Sequence, residues 1–454
     1  MSLKLSVKSS VSTQTYNFEK ENSRSYITDE ISHYEYQLDG IASDLWHVIL
    51  HTQNYNTVYE YAQKHNLLNE LEEFLLELEK TNIIEIKGIS ESKATKNNKI
   101  KPISGLQEKE EKFEEEQYKW LIANGFLQNL TLQLSYKCNL KCTHCFNEKC
   151  YPDAELHFED IKSIIDEAYK LGVTAVGITG GECTCHKDFL KIVKYIRDKH
   201  LAVRVLTNGQ LLYDNDFFEE FVSLNPNMVK LSLYSMNPET HDKMTGIKGS
   251  QHKTKEVIRK LAERKIMTNI SFLVTKENKN DYIDVLNFGD SIGAWTSVST
   301  YYVNNPRNNN SHLMISEDEL TELYLQKEFP ASPHNTEERN HVKKKTICHG
   351  AYRTIAVAPN LNVLPCNDFE YVLGNLKTES LEDIWKKKAK EFRKIFCWEN
   401  IPDCNNDDYC KYCGYCPTPA FLQTKELKKS EICCENARAY QKALLQIKNE
   451  YAIQ

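Results

Sequence analysis

From Leu130 onward, short apolar runs alternate with longer amphipathic stretches. "LTLQLSY", "VTAVGIT", "AVRVLT", "MVKLSLY", "TNISFLVT" and "WTSVSTYYV" read as strands, being rich in β-branched residues and bounded by turn formers. Between them, residues 158–171, 187–199, 215–223, 252–265 and 281–292 carry helical spacing. Six successive βα units predict parallel strands joined by right-handed crossovers. The stretch is too short for eight such units, so a partial (β/α)6 barrel is expected, with its chemistry at the carboxyl ends of the strands.

The first 87 residues follow another pattern. "SRSYITDEISHYEYQLDG" has strand-like spacing that ends on the turn signal Asp39-Gly40. "IASDLWHVILHTQ" places Ile41, Leu45, Val48 and Ile49 on one helical face, "NTVYEYAQKHN" is a second short helix, and "NELEEFLLELEKTNIIEI" is a third that runs into a returning strand. Residues 1–87 therefore form a small winged-helix-like domain. Residues 88–128 comprise a solvated linker and a charged bridging helix ending at Gly125. The barrel takes residues 129–315, a polar connecting segment residues 316–347, and a loop-rich domain residues 348–454, with helices near 381–394 and 437–449. The fold class is α/β throughout.

Cysteine use changes the picture. The 454-residue chain has 15 cysteines; nine lie between Cys348 and Cys434 and three more in one loop. An odd number, with no apolar h-region in the opening residues, argues for metal ligation in the cytoplasm rather than a disulfide framework. No run approaches a membrane span. Net charge is −7, and all of it falls on residues 1–87, with 7 Lys/Arg against 14 Asp/Glu. Such a module suits a peptide or protein partner and not a phosphate backbone.

"SYKCNLKCTHCFN" carries Cys138, Cys142 and Cys145 directly after the first barrel strand. A closed zinc site or a fully ligated cube needs four protein ligands. Three thiolates can hold three irons of a [4Fe–4S] cube and leave the fourth for a small molecule chelating through an amine and a carboxylate; zinc with a distant fourth cysteine is the alternative.

"CNLKCTHC" resembles the radical S-adenosylmethionine (SAM) superfamily motif, in which the free iron binds the methionyl end of SAM. "ITGGECT" resembles the family's GGE motif, so Gly180, Gly181 and Glu182 are expected to hold the SAM amino group through backbone and carboxylate. By the same resemblance Thr207 and Asn208 of "LTNG" lie near the cofactor, Ser232 of "LSLY" contacts SAM, and His144 and Phe146 meet the adenine. There are departures. Cys183 stands where proline usually follows GGE, with Cys185 close by, and "MTG", Met244 to Gly246, replaces an "RG" that would bring a cation. Cys150 is expected to be unligated.

Residues 348 onward resemble the SPASM extension, with two auxiliary [4Fe–4S] clusters. The resemblance implies Cys348, Cys366 and either Cys413 or Cys416 at an inner cluster, and Cys397, Cys404, Cys410 and one of Cys433 or Cys434 at an outer one. A zinc ribbon from Cys410, Cys413 and Cys416 is the alternative. Residues 1–87 resemble the PqqD-like recognition element that captures leaders of ribosomally made peptides; the strand edge near Tyr26–Tyr36 would pair with the leader, and the third helix would supply pockets. Together these resemblances imply a cytoplasmic radical SAM oxidoreductase that modifies a precursor peptide, fed electrons by a donor such as flavodoxin or ferredoxin, with no nucleic-acid or membrane partner. The reaction implied is a cysteine sulfur-to-carbon thioether. Carbon–carbon crosslinking, epimerisation, formylglycine formation as in sulfatase maturases, and a non-catalytic iron–sulfur peptide scaffold remain open.

Overall fold

The computed structural model describes residues 4–9, 11–16, 23–29, 34–81, 83–87, 120–145, 154–301, 310–333, 347–348, 350–401, 404 and 407–453. Most of the linker and bridging helix, residues 88–119, lie outside this set, as do Phe146 and Cys150. The chain forms two compact units, one of Met1–Gln128 with Tyr169–Ala175 and Lys194–Ala202, the other of the remainder.

In the first unit β1 (Lys4–Val7) pairs antiparallel with the returning strand β5 (Ile84–Lys87). Strands β2 (Val11–Tyr16), β3 (Arg24–Asp29) and β4 (Tyr34–Asp39) form a three-stranded antiparallel sheet in that order. Helices Gly40–Thr52, Tyr55–Lys64 and Leu68–Lys80 follow. Gly40 turns the chain from β4 into the first helix at φ +56°, and the Asn54 side chain caps the second by accepting from the N–H groups of Asn56 and Thr57. Leu45, Trp46 and Ile49 pack with Val11, Ile27, Leu71 and Leu75 in one apolar core, and the buried Trp46 indole donates to Thr13 Oγ1 at 2.9 Å.

One expectation needs correction. Tyr26 lies on the middle strand β3, paired on both sides and only 5 % exposed, so it cannot offer an edge. On the far side of β2, the Thr13 N–H donates to the His200 carbonyl at 2.9 Å, and the Tyr16 hydroxyl to the Gly172 carbonyl at 2.9 Å. Within this sheet, among the described residues, the edge strand left to a partner is β4, which carries Tyr36.

The second unit is built on a nine-stranded sheet of order β11-β10-β9-β8-β7-β6-β12-β13-β14. The barrel strands are β6 (Asn129–Gln133), β7 (Ala175–Thr179), β8 (Ala202–Thr207), β9 (Met228–Ser232), β10 (Met267–Leu273) and β11 (Trp295–Ser299). They succeed one another in chain order, in parallel register from β8 to β11, as the βα alternation requires. Alternate residues divide between the two faces. Val229, Leu231, Ile270 and Phe272 are fully buried, and a Cβ on Gly209 would meet both Leu231 Cδ2 and Val257 Cγ1, so this face packs on the helix Ser250–Glu263. The opposite, inner face presents Lys230, Ser232, Asn269, Ser271 and Ser297. Closed barrels fill this space with branched apolar side chains; a polar interior suits a polar ligand.

β12 (Thr354–Val357) extends the sheet, pairing in parallel with β6 from Thr354↔Asn129 to Val357↔Leu132. β12 forms an antiparallel hairpin with β13 (Asn362–Leu364), and β14 (Gly374–Asn375) completes the sheet; this union with the barrel edge is not legible in the sequence. Among the described residues three helices escape the hydrophobic pattern, one of them Thr418–Thr424. Pro238–Thr245 starts with an Asn237 cap and a first-turn proline, and Glu317–Leu325 starts with a Ser316/Glu319 capping box inside the segment read as connecting. The helix near 381–394 runs from Leu381 to Ile395 through a wide turn at Ile384–Lys388, and the last helix is Glu431–Ile453. Among the described residues no helix is long and apolar enough to cross a membrane.

Candidate active site

The loop with the first three cysteines leaves the carboxyl end of β6 and is clamped from two sides. Lys141 and Thr143 donate their N–H groups to the carbonyls of Thr245 and Met244, each at 2.9 Å. Gly246 follows at φ +70°, where a Cβ would lie 2.6 Å from the Lys141 carbonyl, so only glycine fits. The "MTG" departure is thus a main-chain clamp on the loop. The Lys137–Glu155 ion pair at 3.0 Å ties down its first turn.

Cys138 Sγ accepts from the Leu140 N–H at 3.4 Å. The Asn208 amide nitrogen, 3.9 Å from that sulfur, donates to Asn139 Oδ1 at 2.7 Å. Burial, together with the neighbouring Cys145 and Cys138, pushes the Cys142 thiol up to about 12; burial, together with Glu182 and Cys145, pushes Cys138 up to about 11. Three crowded thiols of this kind would be held as thiolates by a positively charged inorganic centre.

The glycine turn lies directly on this loop. Gly181 donates to the Ser135 carbonyl at 2.7 Å and Glu182 to the Lys137 carbonyl at 2.8 Å; a Cβ on Gly180 would lie 2.3 Å from Ser135 O, and one on Gly181 2.4 Å from Lys137 O. The Glu182 carboxylate is 1 % exposed. Its Oε1 accepts from Thr184 N at 3.0 Å, Thr184 Oγ1 at 2.6 Å and Thr207 Oγ1 at 2.6 Å, and its Oε2 from Asn208 N at 2.7 Å. The carboxylate braces Thr207 and Asn208 against the loop, and Oε2, with one bond, keeps room to accept from a further donor such as the expected amine.

Ser232 bonds the phenol of Tyr234, whose buried hydroxyl is pushed well above its ordinary pKa by desolvation and then by the nearby Cys142 thiol. Tyr234 meets His144 edge-on at 4.4 Å between ring centroids and stacks on His241 at 5.6 Å. His144 is buried and held neutral, down at about 4, by desolvation, and its Nδ1 finds no partner among the described residues, an atom placed to receive a donor. Tyr234 and His241 went unread in the sequence, although Tyr234 stands two residues past Ser232. Cys183 is buried and donates to the Leu206 carbonyl at 3.3 Å. Cys185 is exposed and accepts from the Asn139 N–H.

The remaining cysteines fall into two groups. Besides burial, Cys366 feels Cys348 and Cys416, and Cys348 feels Cys416. Cys404 feels Cys434, Cys410 and Cys433, while Cys413 feels Cys433, Cys434, Cys410 and Cys404. Cys433, 0 % exposed, lies between the groups: it accepts from the Cys416 N–H at 3.4 Å and donates to the Cys416 carbonyl at 3.6 Å. Cys397 Sγ accepts from the Asn400 amide at 3.1 Å and donates to the Lys394 carbonyl at 3.7 Å. Among the described residues no three His, Cys, Asp or Glu side chains close around a single metal ion.

Residues 132–289 match the radical SAM superfamily, and residues 348–417 match the SPASM iron–sulfur cluster-binding domain. The chain is 28 % identical over 331 residues to the subtilosin biosynthesis protein AlbA of Bacillus subtilis, covering 67 % of this chain and 70 % of that one. It is 24 % identical over 336 residues to the PqqA peptide cyclase of Granulibacter bethesdensis, covering 68 % and 88 %. Its fold is similar to that of Streptococcus suis SuiB, solved with S-adenosylmethionine (TM-score 0.57, 16 % identity) and with the precursor peptide SuiA (TM-score 0.56, 17 % identity), each covering 94 % of this chain and 99 % of that one. The chain is therefore a radical SAM enzyme, with a barrel domain that binds a [4Fe–4S] cluster and SAM, followed by a SPASM domain that binds auxiliary iron–sulfur clusters.

Proposed function

We propose that the enzyme matures a ribosomally made precursor peptide by joining a cysteine sulfur to a carbon as a thioether. The observation that carries this reading is the group of Cys348, Cys366 and Cys416: three thiols, one short of closing a cube, which leaves a corner for a substrate thiolate. Similarity to a subtilosin biosynthesis protein, and to a fold solved with a precursor peptide bound, supports a peptide substrate.

A cluster at Cys138, Cys142 and Cys145 would supply the electron that cleaves SAM into a hydrogen-abstracting radical. The chain's own residues do the rest. Asn208 and Asn139 hold Cys138 in place, Glu182 fixes Asn208, and the polar inner face of the barrel receives the peptide. Cys404, Cys410, Cys413 and Cys434 complete a four-thiolate outer set to which an electron can pass. The acidic N-terminal module would pair a leader with β4, and tethering would raise the effective concentration of the core peptide.

The test is anaerobic incubation of reduced enzyme and SAM with any short cysteine-containing peptide found encoded beside its gene. A thioether removes two hydrogens per link; no mass change, with deuterium gained in heavy water, would mean epimerisation instead. A Gln37→Pro variant, which removes an outward-facing donor from β4, should cleave SAM while leaving the precursor largely unmodified.

The cysteine grouping carries its own expected outcome. Cys416→Ser and Cys434→Ser should each lower iron by about one cube and perturb different auxiliary signals in electron paramagnetic resonance. Cys433→Ser and Cys397→Ser should retain wild-type iron. A full cube lost from Cys397→Ser would reject the grouping.

A further inference from the structure

The chain leaves the last barrel strand on a tyrosine that touches the cysteine-rich domain. β11 ends at Ser299, and the two residues after it are pinned in place. The Thr300 hydroxyl donates to Asn436 Oδ1 at 2.7 Å, and the Tyr301 N–H donates to Ser299 Oγ at 3.3 Å. Asn436 stands on the helix Glu431–Ile453, two residues past Cys434, and its Oδ1 also accepts from the Tyr324 hydroxyl at 3.2 Å. Anchored in this way, Tyr301 packs on the apolar cluster of Ile401, Cys413, Tyr415, Cys433 and Ala437.

The tip of Tyr301 rests on the cysteine turn itself. Gly414 lies between Cys413 and Cys416 in "CGYC". Among the described residues, a Cβ on Gly414 would meet two heavy atoms outside its own turn, and both belong to Tyr301: Oη at 2.8 Å and Cζ at 3.6 Å. The Gly414 backbone does not have the left-handed φ that calls for glycine. The phenol oxygen is what excludes a side chain here. The same turn is tied to Cys433, which accepts from the Cys416 N–H at 3.4 Å and whose carbonyl accepts from Cys413 Sγ at 3.8 Å. A hydroxyl from the carboxyl end of the barrel is thus seated against the main chain that joins two of the auxiliary-domain thiols.

We propose that Tyr301 is a positioning residue for the auxiliary iron–sulfur chemistry. It holds the Cys413–Cys416 turn against the barrel, and its hydroxyl raises the reduction potential of the auxiliary centre held at that turn. Cluster potentials answer to the hydrogen bonds and polarity around the ligating sulfurs. A thiolate accepts and cannot donate, so a phenol beside one presents its O–H, and that dipole favours the reduced, more negative centre. A phenylalanine ring would fill the same space and supply no dipole.

A double-mutant cycle in the cluster-loaded, full-length enzyme tests it, with potentials read by redox titration followed by electron paramagnetic resonance. Tyr301→Phe should keep wild-type iron and lower the reduction equilibrium constant of one auxiliary centre about tenfold, or about 59 mV for a one-electron couple. The potential of the centre at Cys138, Cys142 and Cys145 should not move. Gly414→Ala should give a similar auxiliary shift, because its methyl displaces the phenol, and should lower the unfolding temperature of the metal-free protein. The double variant should shift no further than Tyr301→Phe alone and should regain that unfolding temperature, since without Oη the methyl meets the ring at an ordinary contact distance. Unmoved auxiliary potentials in Tyr301→Phe, iron lost from it, or additive shifts in the double variant would each overturn the proposal. No precursor peptide enters the measurement, so its result stands whichever bond the enzyme forms.

Discussion

Replacing Cys142 by alanine should abolish SAM cleavage, by at least about 1,000-fold, and remove about four irons per chain. Cys142 is the middle thiol, and its sulfur feels both Cys145 and Cys138. Two remaining thiols do not hold a cube with one open iron. The loop itself should stay in place, because its path is set by the Lys141–Thr245 and Thr143–Met244 main-chain bonds and not by sulfur. Thermal unfolding of the metal-free protein should accordingly match the metal-free wild type, while ultraviolet–visible absorption and iron assay report one cluster lost. Full iron retention would mean that Cys142 is not a ligand, and the reading of the loop would fail with it.

Glu182→Ala should be the most damaging change outside the cysteines. It strands two main-chain N–H groups and two hydroxyls around a buried void, a loss on the order of 3–5 kcal/mol for removing one partner of a buried charged network. SAM cleavage should fall by about 100-fold, because Asn208 is released from its position beside Cys138. Glu182→Gln separates the two effects. The amide oxygen can keep the three bonds made to Oε1, but an NH₂ in place of Oε2 confronts the Asn208 N–H donor. Most of the stability should return while SAM affinity stays impaired, as calorimetry and equilibrium dialysis of the same preparation would show. If Glu182→Gln binds SAM as tightly as the wild type, the brace has no part in organising the cofactor site.

The readable parts of the chain were those with local causes. "CNLKCTHC" brings its thiols together within one loop, whatever the rest of the chain does. The strands β6 to β11 were legible because β-branched runs of the right length recur between amphipathic helices. The helix Pro238–Thr245 was missed through its polar composition, although Asn237-Pro238 is a start signal in its own right. The strand edge was misassigned because one pattern, residues 23–40, holds two strands and the turn between them, and pairing order is not written in either strand alone.

The cysteine pairing shows the remaining division most clearly. From spacing alone, Cys413 and Cys416 could each reach Cys348 and Cys366, and Cys433 and Cys434 were interchangeable. In the helix Glu431–Ile453 consecutive side chains point about 100° apart, so Cys433 turns toward Cys416 while Cys434 turns toward Cys404 and Cys410. By itself, then, the sequence determined the barrel, the open three-thiol loop and the presence of a second cysteine-rich domain, since each follows from residues near one another in the chain. Tertiary structure alone brought Cys416 beside Cys348 and Cys366, made Glu182 a brace, and joined β12 to the barrel sheet. Those are contacts across tens to hundreds of residues, and local spacing carries no record of them.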